Sequence, residues 1–384
     1  MDKPQRQALV RALRLRPGLA AATVHRRRLK DVAFIGVTGS CGKTTTKELI
    51  AAALASGLRG RKSPAQGNGL AVIAKTVLRT TRKDAFCVLE VAAGNPGGVA
   101  RAARLVRPQI AVVTHVASDH RTLYRTLEAV AAEKRELLAG AGDGAIAVLN
   151  YDDPHVIAMA QGFGGPVLTF GCSSGAMLRA EEVRSPWPER LSFTLRFGER
   201  SLPVQTRLCG RHWVSSVLAA LGAAVAMGVP LERSLEALAA VPPTPGRMSP
   251  VSRGGVTFVC DNIKAPLWTM GSIFEFLADA HAARKVAAIG TISDYPGSSS
   301  RAYRRAAEGA LSVADEVLFV GPNASRALNA RRDGDGPPLH AFATLPEAAE
   351  HLRSALREGD LVLLKGSAAP DKLHRLVSAC TPTK

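Results

Sequence analysis

Aromatic residues make up only 5% of this 384-residue chain, and its six cysteines are scattered with no C-x-x-C pair. The first shortage leaves little for a base-stacking platform, which disfavours nucleic acid as a partner. The second indicates neither a zinc site nor a disulfide framework and fits a reducing compartment. No apolar run reaches the roughly 18 to 20 residues of a membrane span, and the start lacks the apolar core of a secretory signal. The expected location is therefore the cytoplasm. Acidic residues are also scarce: 32 Asp and Glu face 50 Lys and Arg, a net charge of +18. That excess favours anionic partners, whether nucleotides, phosphorylated substrates, nucleic acid or an acidic membrane surface, and charge alone does not choose among them.

What is present is 46% hydrophobic content, enough for two cores in two domains. Residues 1–30 hold nine Lys or Arg and one acid, Asp2, with Leu9, Val10 and Leu13 able to form a short apolar stripe on a helix. The plain reading is a solvated helix packed on the body; a membrane-surface helix or a docking arm are the alternatives. From Val32 onward, apolar runs such as VAFIGV, AFCVLEVA, IAVVTHVA and GAIAVLN alternate with helical stretches, the pattern of a parallel sheet covered on both faces. Between about Pro166 and Leu208 the alternating segments LSFTLRF and LPVQTRL read as antiparallel strands appended to that sheet. A Pro- and Gly-dense stretch, VPPTPGRMSPVSRGG, then separates a second βα series. The expected division is a basic segment 1–30, a central domain 31–241 and a C-terminal domain 242–384.

The chemistry is most legible at TGSCGKTTT, which follows an apolar strand and opens a helix. A loop of this kind turns backbone N–H groups toward phosphate oxygens, and the helix N-terminus adds a favourable dipole. Gly39, Ser40, Cys41, Gly42, Lys43, Thr44 and Thr45 are the candidate nucleotide-binding residues, with Lys43 reaching the β- and γ-phosphates and Thr44 holding Mg²⁺. The strict spacing wants glycine where Val37 stands, so the match rests on Gly39, Gly42, Lys43 and Thr44. The fold expected is α/β: a P-loop central domain with a mostly parallel sheet and a smaller Rossmann-like C-terminal domain. Glu90 ends AFCVLE, and Asp119 and His120 follow IAVVTHVA, so all three should arrive at the carboxyl edge beside the loop. Periodicity alone places Lys134, in AAEKREL, on a solvated helix face, and makes His115 a capping or core residue.

TGSCGKTTTKE resembles the nucleotide loop of the Mur ligase family, and the likeness runs from about residue 32 to 378. VLEVAAGNPGGVARAARLVRPQIAVVTHVASDH resembles the central segment of the ligases that add D-Ala-D-Ala, and AAEKREL, AVLNYDDP, LCGRH, PGR, CDNIKAP, VLFVGPNA and LVLLKGS follow in the family's order. The resemblance implies an ATP- and Mg²⁺-dependent ligase that activates a carboxylate as an acyl phosphate and joins it to an amine. It implies that Glu90 and His120 help place a metal ion and that Lys134 is carbamylated into an anionic ligand beside it. Lys43, Glu90, His120 and Lys134 are thus the catalytic candidates. It further implies that Arg247 and Asp261 meet the nucleotide, with ATP clamped between the domains. Asn68, Lys264, Lys365 and Ser367 are candidates for substrate contact.

Three features depart from that pattern. Trp213 and Ser216 stand in a segment where the family carries asparagines near the adenine, so Trp213 either stacks on the base or belongs to the core. Lys264 replaces the usual His or Asn, and TISDYPG replaces an acidic loop, which argues against transferring D-Ala-D-Ala specificity. Only about 30 residues precede the nucleotide strand, too few for the domain that holds the UDP-linked substrate. The expected setting is a specialised metabolite or a modified envelope polymer, with a protein partner or a second copy as further possible partners. The competing reading is a nucleotide-binding scaffold that has lost ligation.

Overall fold

The structure, a computed structural model, describes residues 17–380 apart from 66, 93, 120, 121 and 331–335. The stripe Leu9, Val10 and Leu13 lies outside the described residues. Residues 17–28 are helical, and Ala22 and Leu29 join the core of the first compact unit. Arg26 is not on a solvated face: its Nε donates to Val106 O (2.5 Å), a terminal nitrogen donates to Arg107 O (2.8 Å), and the guanidinium lies 4.0 Å over the Phe34 ring. Burial lowers its pKa to about 10, so it remains a cation at neutral pH.

The first unit comprises the chain up to Glu182 together with Phe193–Gln205 and Val214–Val241. Its nine strands are β1 (Ala33–Thr38), β2 (Gly60–Lys62), β3 (Phe86–Glu90), β4 (Ile110–Val113), β5 (Ile146–Asn150), β6 (Val167–Gly171), β7 (Leu178–Arg184), β8 (Ser192–Phe197) and β9 (Arg200–Gln205). They lie in the order β2-β3-β1-β4-β5-β6-β7-β8-β9. The pairs from β2 through β7 are parallel. The β8–β9 connection is a two-residue turn at Gly198 (φ 58°) and Glu199, which only antiparallel neighbours can share. The alternating pattern of LSFTLRF therefore marks a real change of strand type, which begins after β7 rather than at Pro166.

β3 and β4 are buried along their whole length and β1 nearly so, as parallel strands covered on both faces must be. Because β1 lies between β3 and β4, the chain leaves it toward both sides, and the crevice this creates opens at its carboxyl end. Helix Val214–Ala226 packs on helix Lys43–Ala55 and on β5. Its small residues permit close approach: a Cβ at Gly222 would lie 2.8 Å from Val148. Each fully buried Val, Leu or Ile in this core contributes about 1.5–3 kcal/mol relative to exposure.

The second unit comprises the chain from Pro242 onward together with Val183–Ser192 and Thr206–Trp213. Those two excursions precede the linker, so a single cut near Val241 misses them. Its sheet contains β10 (Ser249–Arg253), β11 (Val256–Asp261), β12 (Arg284–Ile289), β13 (Glu316–Val320), β14 (Leu339–Phe342) and β15 (Asp360–Lys365), in the order β10-β11-β15-β12-β13-β14. All neighbours are parallel except β10 with β11. Phe258 of β11 joins Val286, Leu318, Val362 and Leu364 from the neighbouring strands to fill one face of this sheet.

Candidate active site

β1 passes through Gly39–Gly42 into helix Lys43–Ala55. Gly39 has φ 148°, and a Cβ there would lie 1.9 Å from Thr114 Oγ1; no other residue type fits without moving that side chain. Gly42 (φ 75°) is the N-cap and offers no side-chain cap, and the first helical turn carries no acid. The orphan N–H groups and the positive end of the helix dipole are thus left for an external anion.

The segment after β4 braces the loop. Ser40 N donates to His115 O (2.7 Å), Ser40 Oγ donates to Ala117 O (3.1 Å) and accepts from Ala117 N (2.9 Å), and Thr114 Oγ1 donates to Cys41 O (2.7 Å). Ser40 is therefore committed to loop shape, while the Cys41 side chain is exposed. Lys43 Nζ donates to the carbonyls of Gly39 (2.6 Å) and Ser40 (3.3 Å), so the cation curls over the loop. Thr45 is buried in the first helical turn, and Ser216 is buried beside Gly42, 3.1 Å from where a Cβ would stand.

Glu90, 3% exposed at the end of β3, accepts from Thr44 Oγ1 (2.8 Å) and from Asn68 Nδ2 (3.3 Å). A loop hydroxyl, a strand-end carboxylate and an amide, drawn from residues up to 46 positions apart, thus meet at one point beside the loop. Asp119 is buried, whereas His120 lies outside the described residues. Lys134 does not occupy the solvated face that periodicity predicts: it is 2% exposed on helix Leu127–Ala139. Burial and the nearby Lys43 cation push its pKa down to about 7, against the pull of Asp119, Cys41 and Glu133. Its neighbour Glu133 accepts from the N–H groups of Gly97 and Val99 (2.8 Å each) and so holds the start of helix Gly98–Val106.

His115 is a half-exposed partner of Asp153, with Nδ1 2.6 Å from Oδ2, rather than a core residue. Burial opposes ionisation of Asp153, but hydrogen bonds from His115 and from Val116 N (2.7 Å) prevail and hold its carboxyl below the usual range. Sequence patterning does not single out Asp153, nor Lys47, which is fully buried and donates to the carbonyls of Ser63 (2.9 Å) and Pro64 (2.8 Å). Ser63 Oγ in turn accepts from Glu90 N (3.2 Å), so Lys47 steadies the segment that meets the carboxylate.

The second unit gathers a separate polar edge. Asp261 and Lys365 end β11 and β15, are register partners, and form a buried ion pair (Lys365 Nζ to Asp261 Oδ2, 2.6 Å). Lys365 Nζ also donates to Lys264 O (3.0 Å), while Lys264 itself is exposed. His212 belongs to this edge: burial pushes its pKa down to about 4 despite Asp261, so the imidazole is neutral. Trp213 is buried, with its ring 4.7 Å from that of His212, which resolves it as a core residue. Arg247 is half-buried in a turn closed by its N–H on Thr244 O (2.9 Å). Ser367 is organised by Asp371, whose carboxylate accepts from Ser367 N (2.6 Å), Thr291 N (2.8 Å) and Thr291 Oγ1 (2.5 Å). Nothing in the sequence pattern marks Asp371 for that task.

An uncapped helix behind a Gly-Lys-Thr loop, with a strand-end carboxylate on the Thr hydroxyl, defines a P-loop nucleotide-dependent enzyme. The chain matches the Mur ligase middle domain over residues 37–224 and the Mur ligase glutamate ligase domain over residues 246–368. It is 31% identical over 375 residues to the UDP-N-acetylmuramoyl-tripeptide–D-alanyl-D-alanine ligase of Mycobacterium tuberculosis, covering 91% of this chain and 73% of that relative. The MurF structure from Acinetobacter baumannii superposes with a TM-score of 0.85 at 22% identity, over 94% of this chain and 79% of that one. The MurF ligase of Thermotoga maritima in complex with ADP gives 0.83 at 23% identity, over 94% and 82%. The chain belongs to the Mur ligase family, and its activity is ATP-dependent amide-bond formation, served by ATP and Mg²⁺. Among the described residues, no helix is long and apolar enough to cross a membrane.

Proposed function

We propose that this ligase activates the carboxylate of an envelope precursor or specialised metabolite as an acyl phosphate and couples it to the amine of an amino acid, short peptide or small amine. The observation that carries the reading is the meeting of Thr44, Glu90 and Asn68 beside the loop of Lys43, with Lys134 buried in the same neighbourhood. The N–H groups from Gly39 to Thr45 and the Lys43 ammonium receive the β- and γ-phosphates. A carboxylate oxygen of the substrate attacks the γ-phosphorus and ADP leaves. The amine nitrogen then attacks the acyl carbon, phosphate leaves, and the nitrogen loses a proton. Lys43, released from its two loop carbonyls, neutralises the charge that develops on the transferred phosphoryl group.

The donors present fit magnesium, a hard cation that prefers oxygen: a carboxylate and a hydroxyl, both buried. Thr44, Glu90, His120 and Lys134 are the residues that would hold it, and when bound it offsets the negative charge of the triphosphate. Lys134 suits its part because an amine with pKa about 7 is largely unprotonated at slightly alkaline pH. Its nitrogen adds to CO₂ and loses a proton, leaving a carbamate anion where a cation would oppose the metal. Arg247 and Asp261 serve the nucleotide, Asp261 being oriented by Lys365; Lys264 and Ser367 face the amine substrate. A cytoplasmic setting follows from the demand for ATP.

The test is isotopic. With ¹⁸O in the carboxylate, an acyl-phosphate route delivers one label to inorganic phosphate per amide formed. The relatives' own pair, UDP-N-acetylmuramoyl-tripeptide and D-Ala-D-Ala, heads the substrate panel. Amide formation with unlabelled phosphate would overturn the proposed route.

A further inference from the structure

Glu316, His340 and His351 converge where the parallel strands of the second sheet begin, the edge opposite Asp261 and Lys365. Glu316 is the first residue of β13, and Arg284 and Asp360 are the first residues of the neighbouring strands β12 and β15. Six residues of strand separate the two edges by ~17 Å. His340 comes from β14 and His351 from helix Leu345–Ala355. One donor atom from each of the three residues lies within 4.8 Å of the others. Ligation chemistry at the nucleotide loop does not use them.

We propose that these three side chains form a binding site for a late first-row divalent cation, zinc foremost, through Glu316 Oε1, His340 Nε2 and His351 Nε2. Two imidazoles and one carboxylate are a donor set that suits zinc far better than magnesium or calcium. Zinc bonds of ~2.0–2.2 Å in a tetrahedral arrangement set donor atoms roughly 3.3–3.5 Å apart. Glu316 Oε1 already lies 3.3 Å from His340 Nε2 and is 2.5 Å from His351 Nε2, so one part-exposed ring must retreat by about 1 Å.

The surroundings are those of a metal site. Glu316 is 4% exposed, and its other oxygen is held by Arg284, which also donates to Ala355 O (2.8 Å). A ligating carboxylate fixed through its second oxygen is the usual supporting arrangement. Glu316 and Asp360 against Arg284 leave one net negative charge around two imidazoles, which attracts a dication. Phe342 packs on both rings, with centroids 6.0 Å from His340 and 5.3 Å from His351, and restricts their rotation. The outer sides of both histidines reach solvent, so a fourth position is open to water, as in three-ligand zinc sites.

The experiment is equilibrium dialysis of the full chain against Zn²⁺ with saturating MgADP to occupy the nucleotide loop, with metal counted by mass spectrometry. Co²⁺ is then used as a spectroscopic substitute. The wild-type chain should hold one zinc more than His340→Ala or His351→Ala, each of which should bind at least about tenfold more weakly, and the cobalt d–d bands should vanish in both. These part-exposed histidines carry the test because Glu316→Gln also removes one of the two carboxylates that Arg284 pairs with; circular dichroism checks that each variant is folded. Equal zinc content in the wild type and the double histidine variant, with a featureless cobalt spectrum, would overturn the site. No ligase activity is read, so the result is independent of the substrate proposal.

Discussion

Replacing Lys134 with Met should stabilise the nucleotide-free protein while abolishing ligation. The ammonium is buried on helix Leu127–Ala139 and its pKa falls from 10.5 to about 7, chiefly through desolvation. In the unfolded chain the lysine keeps its proton until about pH 10.5, whereas the folded protein begins to lose it near pH 7. The unfolded state therefore binds more protons throughout that window, and wild-type stability rises with pH across it. Below the window the full penalty is present: a shift of roughly 3.5 units at 1.36 kcal/mol per unit sets a ceiling of about 5 kcal/mol. Local relaxation reduces this to about 2–4 kcal/mol. Methionine fills similar volume without a charge, so the penalty disappears at every pH. For a unit of this size that corresponds to roughly 5–10 °C in Tm at pH 7. The assay is calorimetry in CO₂-free buffer without nucleotide, from pH 6.5 to 10, alongside ligation kinetics. The Tm advantage of Lys134→Met should shrink steadily toward pH 10. A variant no more stable than wild type at pH 7, with a gap independent of pH, would refute the reasoning.

Gly39→Ala forces a side chain into φ 148° and onto Thr114 Oγ1, costing about 2–4 kcal/mol from backbone strain and the lost bond to Cys41 O. If the loop opens to relieve it, MgATP affinity falls ~30- to 1,000-fold with little change in Tm, as isothermal titration would read; affinity within threefold of wild type would count against the assigned loop. Glu90→Gln keeps the hydrogen bond from Thr44 but removes a buried charge, so we expect apparent Mg²⁺ affinity to fall by at least about tenfold with the fold intact, measured by magnesium titration of ADP release. Asp261→Asn leaves Lys365 buried without its anion and should destabilise the second unit by about 3–5 kcal/mol, and Lys365→Met, which leaves the Asp261 carboxylate without its cation, should cost a similar amount; chemical denaturation of both variants checks this, and a loss under about 1 kcal/mol in each would count against a buried ion pair.

The legible part of the site was its contiguous part. The loop from Gly39 to Thr45 announces itself because strand, glycines, lysine and helix stand in a single run, and the expected parallel sheet follows from apolar runs such as FCVLE that are buried throughout. Glu90 was readable as a strand end, yet its bond to Thr44 spans 46 positions and has no local signature. Periodicity misplaced Lys134 on a solvated face, because a helix pattern counts charges without seeing that a cation is enclosed. Asp371 escaped both periodicity and family likeness, and Asp153, although inside the family-like segment AVLNYDDP, had no role readable from it: each acts on backbone N–H groups far along the chain, Asp153 on Val116 and Asp371 on Thr291 across 80 positions. Trp213 stood open between base stacking and core, and its burial decides for the core. The second unit's excursions at 183–192 and 206–213 were unreadable because chain order says nothing about which core a short segment joins.

The most direct test of ligation is release of ADP and phosphate from MgATP in bicarbonate buffer, with pooled carboxylates and pooled amines supplied separately and together, and with Lys43→Ala as baseline. Release should exceed that baseline only when both pools are present, and it should be accompanied by a product lighter by one water than acid plus amine. Release that ignores the pools, or matches Lys43→Ala in every mixture, would contradict ligation.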